Sequence, residues 1–260
     1  MEQNVYRQFY EQERVHWWFR GMHHLCKVMI LRYGNNLKPE VLLDMGCGTG
    51  GLTEELRVFG DVTGVDMSAE ALSFCRKRGL KKLIQAPADK TGLPDNSYSL
   101  IVAFGLIEHI EDDRLFLMEM QRILKKGGRL IILTSAFQFL WSQHDIIVHH
   151  KRRYNLKELE SLMKEAGLKK EKYTYVNFLL FHVALLLKGL NLLFLFRKQR
   201  QHSSGSPYIY QTNFLVNWIL EKILWIETWM LRLINFPYGI GILCVVKKEE
   251  SESLEVHKSL

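Results

Sequence analysis

Three features of the sequence predict a Rossmann-like, doubly wound α/β fold. Apolar strand-like runs alternate with amphipathic helical stretches. A glycine-rich turn follows the first run, and acidic residues close the first two. Strand and helix alternate five times within about 135 residues, the rhythm of a parallel sheet joined by right-handed crossovers.

Residues 1–38 read as a helical lead-in, with a helix over 22–33 ended by the break from Gly34 to Pro39. Glu40 to Asp44 is a short apolar run bounded by turn signals, hence a buried strand. Helical spacing resumes over 51–58. Asp61 to Asp66 is the second strand, and Ser68 is placed to cap the helix after it. Leu83 to Ala86 and Tyr98 to Phe104 are the third and fourth strands. Residues 112–125 read as an amphipathic helix with Leu115, Met118 and Ile123 inward, Lys125 and Lys126 near its end, and Gly127-Gly128 as its stop. Arg129 to Thr134 is the fifth strand. A helix over 156–166 closed by Gly167, a strand over 171–176 and a last apolar strand within 239–247 complete the core. Residues 248–260 form a polar tail.

The core is thus laid out as 39–176 plus 239–247, with 177–238 inserted before the last strand. Connections in such folds are ordinarily short, so this segment is a distinct feature. Phe178 to Phe196 is almost wholly apolar, Arg197 to Arg200 is basic, and Phe214 to Ile234 is helical and aromatic, with Glu221, Lys222, Glu227 and Arg232 as charges that suit a helix lying in the plane of a membrane interface better than one crossing it. The chain has 260 residues, 47% of them hydrophobic, which excludes a disordered chain. Its net charge of +7 is compatible with a nucleic acid, an anionic membrane surface, a phosphorylated substrate or simply a basic exterior. The four cysteines are widely spaced and form no CxxC pair, so neither a zinc site nor a disulfide framework is expected, and a reducing, cytoplasmic setting fits. The polar N-terminus does not read as a signal peptide.

The strongest chemical signal is Asp44-Met45-Gly46-Cys47-Gly48-Thr49-Gly50-Gly51, where the first strand turns into a helix. Glycines let such a loop turn tightly and let a ligand approach the backbone. The loop lacks the Lys-Ser/Thr ending of a phosphate-binding P-loop. Asp44 would attract an ammonium group instead. Asp66, at the end of the second strand, can accept both hydroxyls of a ribose, which alone does not distinguish a nicotinamide dinucleotide from S-adenosylmethionine. Asp89 can accept from an adenine amino group.

Four segments in order resemble the class I S-adenosylmethionine-dependent methyltransferases: Asp44 to Gly50, Gly64 to Ser68, Ala88-Asp89 with Leu93-Pro94, and Phe104 to Ile110. The resemblance implies S-adenosyl-L-methionine as cofactor and a seven-stranded sheet whose antiparallel last strand slots between strands five and six. It also implies that Asp44, Gly46, Cys47, Gly48 and Gly50 hold the methionine portion and that Asp66 holds the ribose. Met67 would cover the adenine and Ala88-Asp89 would face its edge. Phe104, Leu106 and His109 would close over the cofactor near its methyl group.

The acceptor side is expected in the stretch after strand five. His144, His149 and His150 are candidate general bases, histidine being suited to proton transfer near neutral pH. Arg152 and Arg153 are placed to clamp a phosphate or carboxylate, with Asp145 and Tyr154 as further acceptor contacts. His16, Trp17 and Arg20 are candidates for a lid, aromatic walls and a cation over an anionic acceptor. No convincing metal-ligand set is spaced among the histidines. The His-His-x-Arg-Arg-Tyr loop, like His16 to Arg20, resembles a bacterial and archaeal subgroup of these enzymes that accompanies surface-glycan or lipid enzymes.

The sequence therefore points to a methyltransferase for a membrane-associated or lipid-linked small molecule. Residues 177–238 would attach it to an anionic membrane, peripherally or monotopically on the inner face, or form an oligomer contact. The alternatives are a methyltransferase for a soluble metabolite and a non-catalytic membrane-surface protein. The basic run is too short and too closely flanked by apolar helices for nucleic acid.

Overall fold

The computed structural model describes residues 3–34, 40–194 and 212–249. The basic run at 197–200, the end of the apolar segment at 195–196, the break at 35–39 and the tail from 250 lie outside them. The chain opens with α1 (Gln3–Gln12) and α2 (Trp17–Tyr33), followed by β1 (Glu40–Met45), α3 (Gly51–Leu56), β2 (Gly60–Asp66), α4 (Ala69–Lys77), β3 (Leu83–Gln85) and β4 (Tyr98–Phe104). Then come α5 (Asp113–Ile123), β5 (Leu124–Ser135), α6 (Gln143–Ile147), α7 (Leu156–Glu165), β6 (Leu168–Val176), α8 (Phe178–Phe194), α9 (Phe214–Met230) and β7 (Gly241–Lys248).

The seven strands form one sheet in the order β3-β2-β1-β4-β5-β7-β6. All neighbours are parallel except β7, which runs antiparallel to both β5 and β6. This is the doubly wound seven-stranded arrangement expected, with the helical insertion directly before the last strand. Strand order reverses between β1 and β4, so the crevice at their carboxyl ends is where an open sheet of this kind receives a ligand. Leu42, Leu43, Leu100, Ile101, Ile131 and Ile132 are buried because helices cover both faces. Ser135 and Val176 both pair with Gly241, so β5 and β6 end, and β7 begins, at this same edge.

One helix is phased differently from its sequence reading. In α5 the buried residues are Phe116, Leu117, Met120 and Ile123, whereas Leu115 and Met118 are 50% and 57% exposed. The Asp112 side chain caps the helix at Leu115 N, and the 116-120-123 spacing then turns the bulkier Phe116 into the core. The helix also stops at Ile123, so Lys125 to Gly128 belong to β5 rather than to a helix end. The last carbonyls are met by Lys248 at the end of β7, whose Nζ donates to Gln121 O at 2.7 Å and Leu124 O at 2.9 Å.

The insertion differs in the direction its acids face. Glu221 and Glu227 of α9 are buried. Glu221 pairs with Arg20 of α2 at 2.9 Å. Glu227 accepts from the backbone N–H of Asn177 and, at 3.1 Å, of Leu179, capping the start of α8. These two carboxylates therefore do not form the polar face of an interfacial helix; they bind α9 to the body of the protein. Gly21 lets α2 and α9 approach, since a Cβ there would run into the Leu224 side chain. The face left outward is apolar, with Phe214 at 85% and Trp229 at 60% exposure.

Candidate active site

The glycine loop is shaped by its backbone. Gly46 N and Cys47 N both donate to Val65 O, at 2.8 and 3.0 Å, which ties the loop to the end of β2. Gly46 has φ +76° and a Cβ there would lie 2.8 Å from Leu106 Cδ1, so both conformation and space demand glycine. Gly48 has φ +54° and open space where a Cβ would stand, leaving its backbone approachable.

The acids take up the positions the strand ends give them. Asp44 is almost wholly buried and accepts from Thr53 Oγ1 at 2.6 Å. Burial pushes its pKa up to about 6, with the Thr53 bond opposing. Asp66 accepts from Gly48 N at 2.9 Å on Oδ2 and from Ser68 N at 2.8 Å on Oδ1. Burial raises its pKa, and these two backbone donors work against the rise. Each oxygen keeps a further lone pair for an incoming hydroxyl. Ser68 Oγ in turn caps α4 at Ala71 N. Met67 is 72% exposed beside this acid. Asp89 is half-buried in the turn after Pro87, with Ala88 buried next to it. Phe104, Leu106 and His109 are half-buried beyond the end of β4.

A group that sequence reasoning missed closes the near side of the loop. The buried Arg78 donates to Thr49 O at 2.8 Å, Tyr10 O at 3.0 Å and Glu13 Oε2 at 2.8 Å. It thereby fastens α1 to the glycine loop and rests over the Tyr10 ring. Arg78 stands next to a glycine at the end of a helix, where a solvated cation is the ordinary reading; nothing local signals its partners.

The acceptor-side loop is organised around Asp145, which is 0% exposed. Its Oδ2 accepts from Ser142 N at 2.7 Å, Ser142 Oγ at 3.0 Å and Arg153 Nη2 at 2.8 Å. Its Oδ1 takes Arg153 Nε at 2.7 Å and lies 2.8 Å from His150 Nδ1. Burial alone would raise the Asp145 pKa, but the bonds to His150 and Arg153 outweigh it and hold the carboxyl well below the usual range. The His150 ring meets His109 edge-on at 4.6 Å and His144 at 6.0 Å between centroids. Burial, with His150 adjacent, lowers the His109 pKa to about 4, and burial likewise lowers that of His144. His149 is exposed, with a left-handed φ of +61°.

The structure thus brings His109, predicted near the cofactor methyl group, together with His144 and His150. Arg152 and Arg153 are occupied internally. Arg152 binds Asp113 Oδ2 at 3.0 Å and Glu111 O at 2.8 Å, and Arg153 chelates Asp145. The Tyr154 hydroxyl donates to Asp113 Oδ2 at 2.9 Å, and burial foremost lifts its pKa well above the ordinary phenol value. Asp145 and Tyr154 are buried and hold the loop together. His16, Trp17 and Arg20 lie at the junction of α2 with α9. His16 caps α2, Trp17 N donates to Asn217 Oδ1 at 2.8 Å, and Arg20 pairs with Glu221.

A family model described as a methyltransferase domain matches residues 43–132. Among curated proteins, the ubiquinone/menaquinone biosynthesis C-methyltransferase UbiE of Pseudoalteromonas translucida is 31% identical over 168 residues, covering 60% of this chain and 65% of that protein. Phosphoethanolamine N-methyltransferase 3 of Arabidopsis thaliana is 30% identical over 146 residues, 51% of this chain and 29% of that protein. The chain therefore spans less than two thirds of these relatives. A solved SAM-dependent methyltransferase from Thermotoga maritima superposes with a TM-score of 0.58 at 20% identity, covering 95% of this chain and 96% of that one. Sheet order, loop and matches converge: the chain has the class I S-adenosylmethionine-dependent methyltransferase fold and is similar in sequence to UbiE over 60% of its length.

Proposed function

We propose that this protein is an S-adenosylmethionine-dependent methyltransferase whose acceptor is a small molecule carried at a membrane surface. The cofactor is S-adenosyl-L-methionine, which supplies an electrophilic methyl group on a sulfonium. The residues present fit it. The open backbone at Gly48 and the buried carboxylate of Asp44 suit an amino-acid moiety, and Asp66 has lone pairs free for a ribose. Met67 offers an exposed apolar side chain for the adenine face, with Asp89 at its edge. Phe104, Leu106 and His109 then face the acceptor side, where a dry and ordered setting favours displacement.

The membrane part of the reading is supported by one observation above all. The helices α8 and α9 lie between β6 and β7, strands that meet at the same sheet edge as the cofactor loop, and present an outward apolar face. Phe214, Leu215, Trp218, Ile226, Trp229 and Leu233 are all exposed on the α9 side. Contiguous exposed apolar surface with tryptophans suits the interfacial zone of a bilayer. Among the described residues no helix is long and apolar enough to cross a membrane; the contact proposed is one of lying on the surface through the exposed apolar face of α9.

Flotation with phosphatidylglycerol vesicles, run beside calorimetry with S-adenosylmethionine and NAD, tests both halves. The protein is expected to float with the vesicles and to bind S-adenosylmethionine in preference to NAD. Preferential NAD binding ends the methyltransferase reading. Cofactor binding by a protein that ignores vesicles leaves a methyltransferase for a soluble metabolite.

A further inference from the structure

The acceptor-side loop carries more specific chemistry than a set of nearby histidines. Asp145 is 0% exposed and fixed by Ser142 and Arg153, so its Oδ1 cannot swing away from His150 Nδ1 at 2.8 Å. A carboxylate in that position takes a hydrogen from Nδ1, which leaves the lone pair on Nε2. Nε2 makes no hydrogen bond to the described residues. The His150 ring is packed edge-on against His109, in the segment that follows β4. The segment and the loop are one unit: Lys151 N donates to Glu108 O at 2.8 Å, while Arg152 and Tyr154 both bind Asp113 Oδ2.

We propose that His150, positioned by Asp145, is the proton acceptor of the methyl transfer and that the acceptor group is a hydroxyl of a phenol or enol. This rests on the methyltransferase reading above. A buried carboxylate orienting an imidazole whose far nitrogen is left as base is the arrangement that activates hydroxyl groups in nucleophilic catalysis. An acceptor oxygen must shed its proton as it is alkylated. The O–H proton passes to His150 Nε2, the oxygen pair forms the new bond to the methyl carbon, and the carbon–sulfur pair leaves with sulfur as the neutral thioether. The imidazolium so formed is stabilised by Asp145, whose second oxygen remains neutralised by Arg153. His109 and His144 face the same ring, and burial holds the His109 pKa down to about 4, so that ring adds no competing positive charge near pH 7. Asp145 is a positioning residue, since it is buried away from any acceptor.

Three measurements test this. Long-range proton–nitrogen NMR of histidine-labelled protein at pH 8 is expected to show His150 as the Nδ1–H tautomer, and Asp145→Asn to abolish that preference. For turnover, the probes are hexadecylcatechol and phosphatidylethanolamine, each in phosphatidylglycerol vesicles with methyl-labelled S-adenosylmethionine. The catechol should take the label on oxygen. His150→Gln should lower kcat by about 10²–10⁴-fold while the cofactor Kd from calorimetry stays within about twofold. Should Asp145→Asn fail to fold, the wild-type tautomer and His150→Gln carry the test. An Nε2–H tautomer in the wild type, label on the amine alone, no labelled catechol despite cofactor binding, or undiminished turnover in His150→Gln each overturns the proposal. Loss of cofactor binding by the wild type is a different result and removes the methyltransferase reading itself.

Discussion

Asp44→Asn should make the ligand-free protein more stable at neutral pH and weaken its grip on the cofactor. Asp44 is 2% exposed, and burial lifts its pKa from 3.8 to about 6. Thr53 and the charge of His23 oppose that rise, while Glu13 and Asp66 add to it. A carboxyl whose folded pKa is raised favours the folded state in its protonated form. Its contribution is fully present below the unfolded value of about 3.9 and is lost as pH climbs through the folded value. The window is therefore between 3.8 and about 6. At about 1.36 kcal/mol per pKa unit, the loss across it is about 3 kcal/mol. Asparagine keeps an acceptor for Thr53 Oγ1 and cannot ionise. The difference in unfolding free energy between variant and parent should hence be near zero or slightly negative at pH 4 and favour the variant by about 3 kcal/mol at pH 8. Taking the difference cancels every other titrating group the two share. Bound cofactor should reverse the sign, because the ammonium proposed to lie beside Asp44 would favour the carboxylate. Binding at pH 5.5 should release protons in the parent and fewer in the variant. The variant's affinity should fall about ten- to a hundredfold, the worth of one charged hydrogen bond at 1.5–3 kcal/mol. Urea titrations at the two pH values and calorimetry in buffers of different ionisation heat measure these quantities. A variant no more stable than the parent at pH 8 would refute the argument from burial, and equal affinity would refute the placement of the ammonium.

Asp66→Ala removes the carboxylate that accepts from Gly48 N and Ser68 N along with the proposed ribose contact. The S-adenosylmethionine Kd should rise at least about tenfold by calorimetry, and an unchanged Kd takes Asp66 out of the cleft. Glu227→Gln keeps one acceptor oxygen for the first turn of α8 but turns an amide group toward the other backbone N–H. The cost should be about 1–3 kcal/mol in chemical denaturation, the price of one unsatisfied buried donor, and an unchanged midpoint would mean that another group caps α8.

The strands and the cofactor loop were legible because their signals are local. A short apolar run, a turn and an acid define a strand end wherever they occur, so Asp44 and Asp66 were placed at the ends of β1 and β2 from sequence alone. The face of α5 was not legible in the same way. Leu115 and Met118 are as apolar as Phe116 and Met120, and only packing against the sheet selects between two overlapping periodicities. The buried acids of the insertion were hidden for a different reason. Glu221 and Glu227 read as surface charges because their partners are remote: Arg20 lies near the start of the chain, and the α8 N-terminus follows β6. Arg78 escaped notice on the same ground, since Tyr10, Glu13 and Thr49 come to it only when α1 folds over the glycine loop.

The histidines lie between these cases. Their presence after β5 was legible, but no sequence pattern distinguishes His150 from its neighbours. What distinguishes it is a bond across one small helix: α6 carries Asp145 and turns the chain back so that His150 N donates to Asp145 O at 2.8 Å, which brings the ring beside the carboxylate. The same loop reaches the insertion. Phe137 stacks on Phe139 at 5.1 Å and on Tyr175 at 4.9 Å, and meets Phe181 of α8 at 6.1 Å. These rings begin two residues past the end of β5 and continue onto the first turn of α8. They give the loop bearing the histidines and the apolar helices a common dry wall. Tyr175 and Phe181 are each 8% exposed whereas Phe139 is 54% exposed, so the stack seals the junction of the loop with α8 against water and leaves Phe139 as its outward ring.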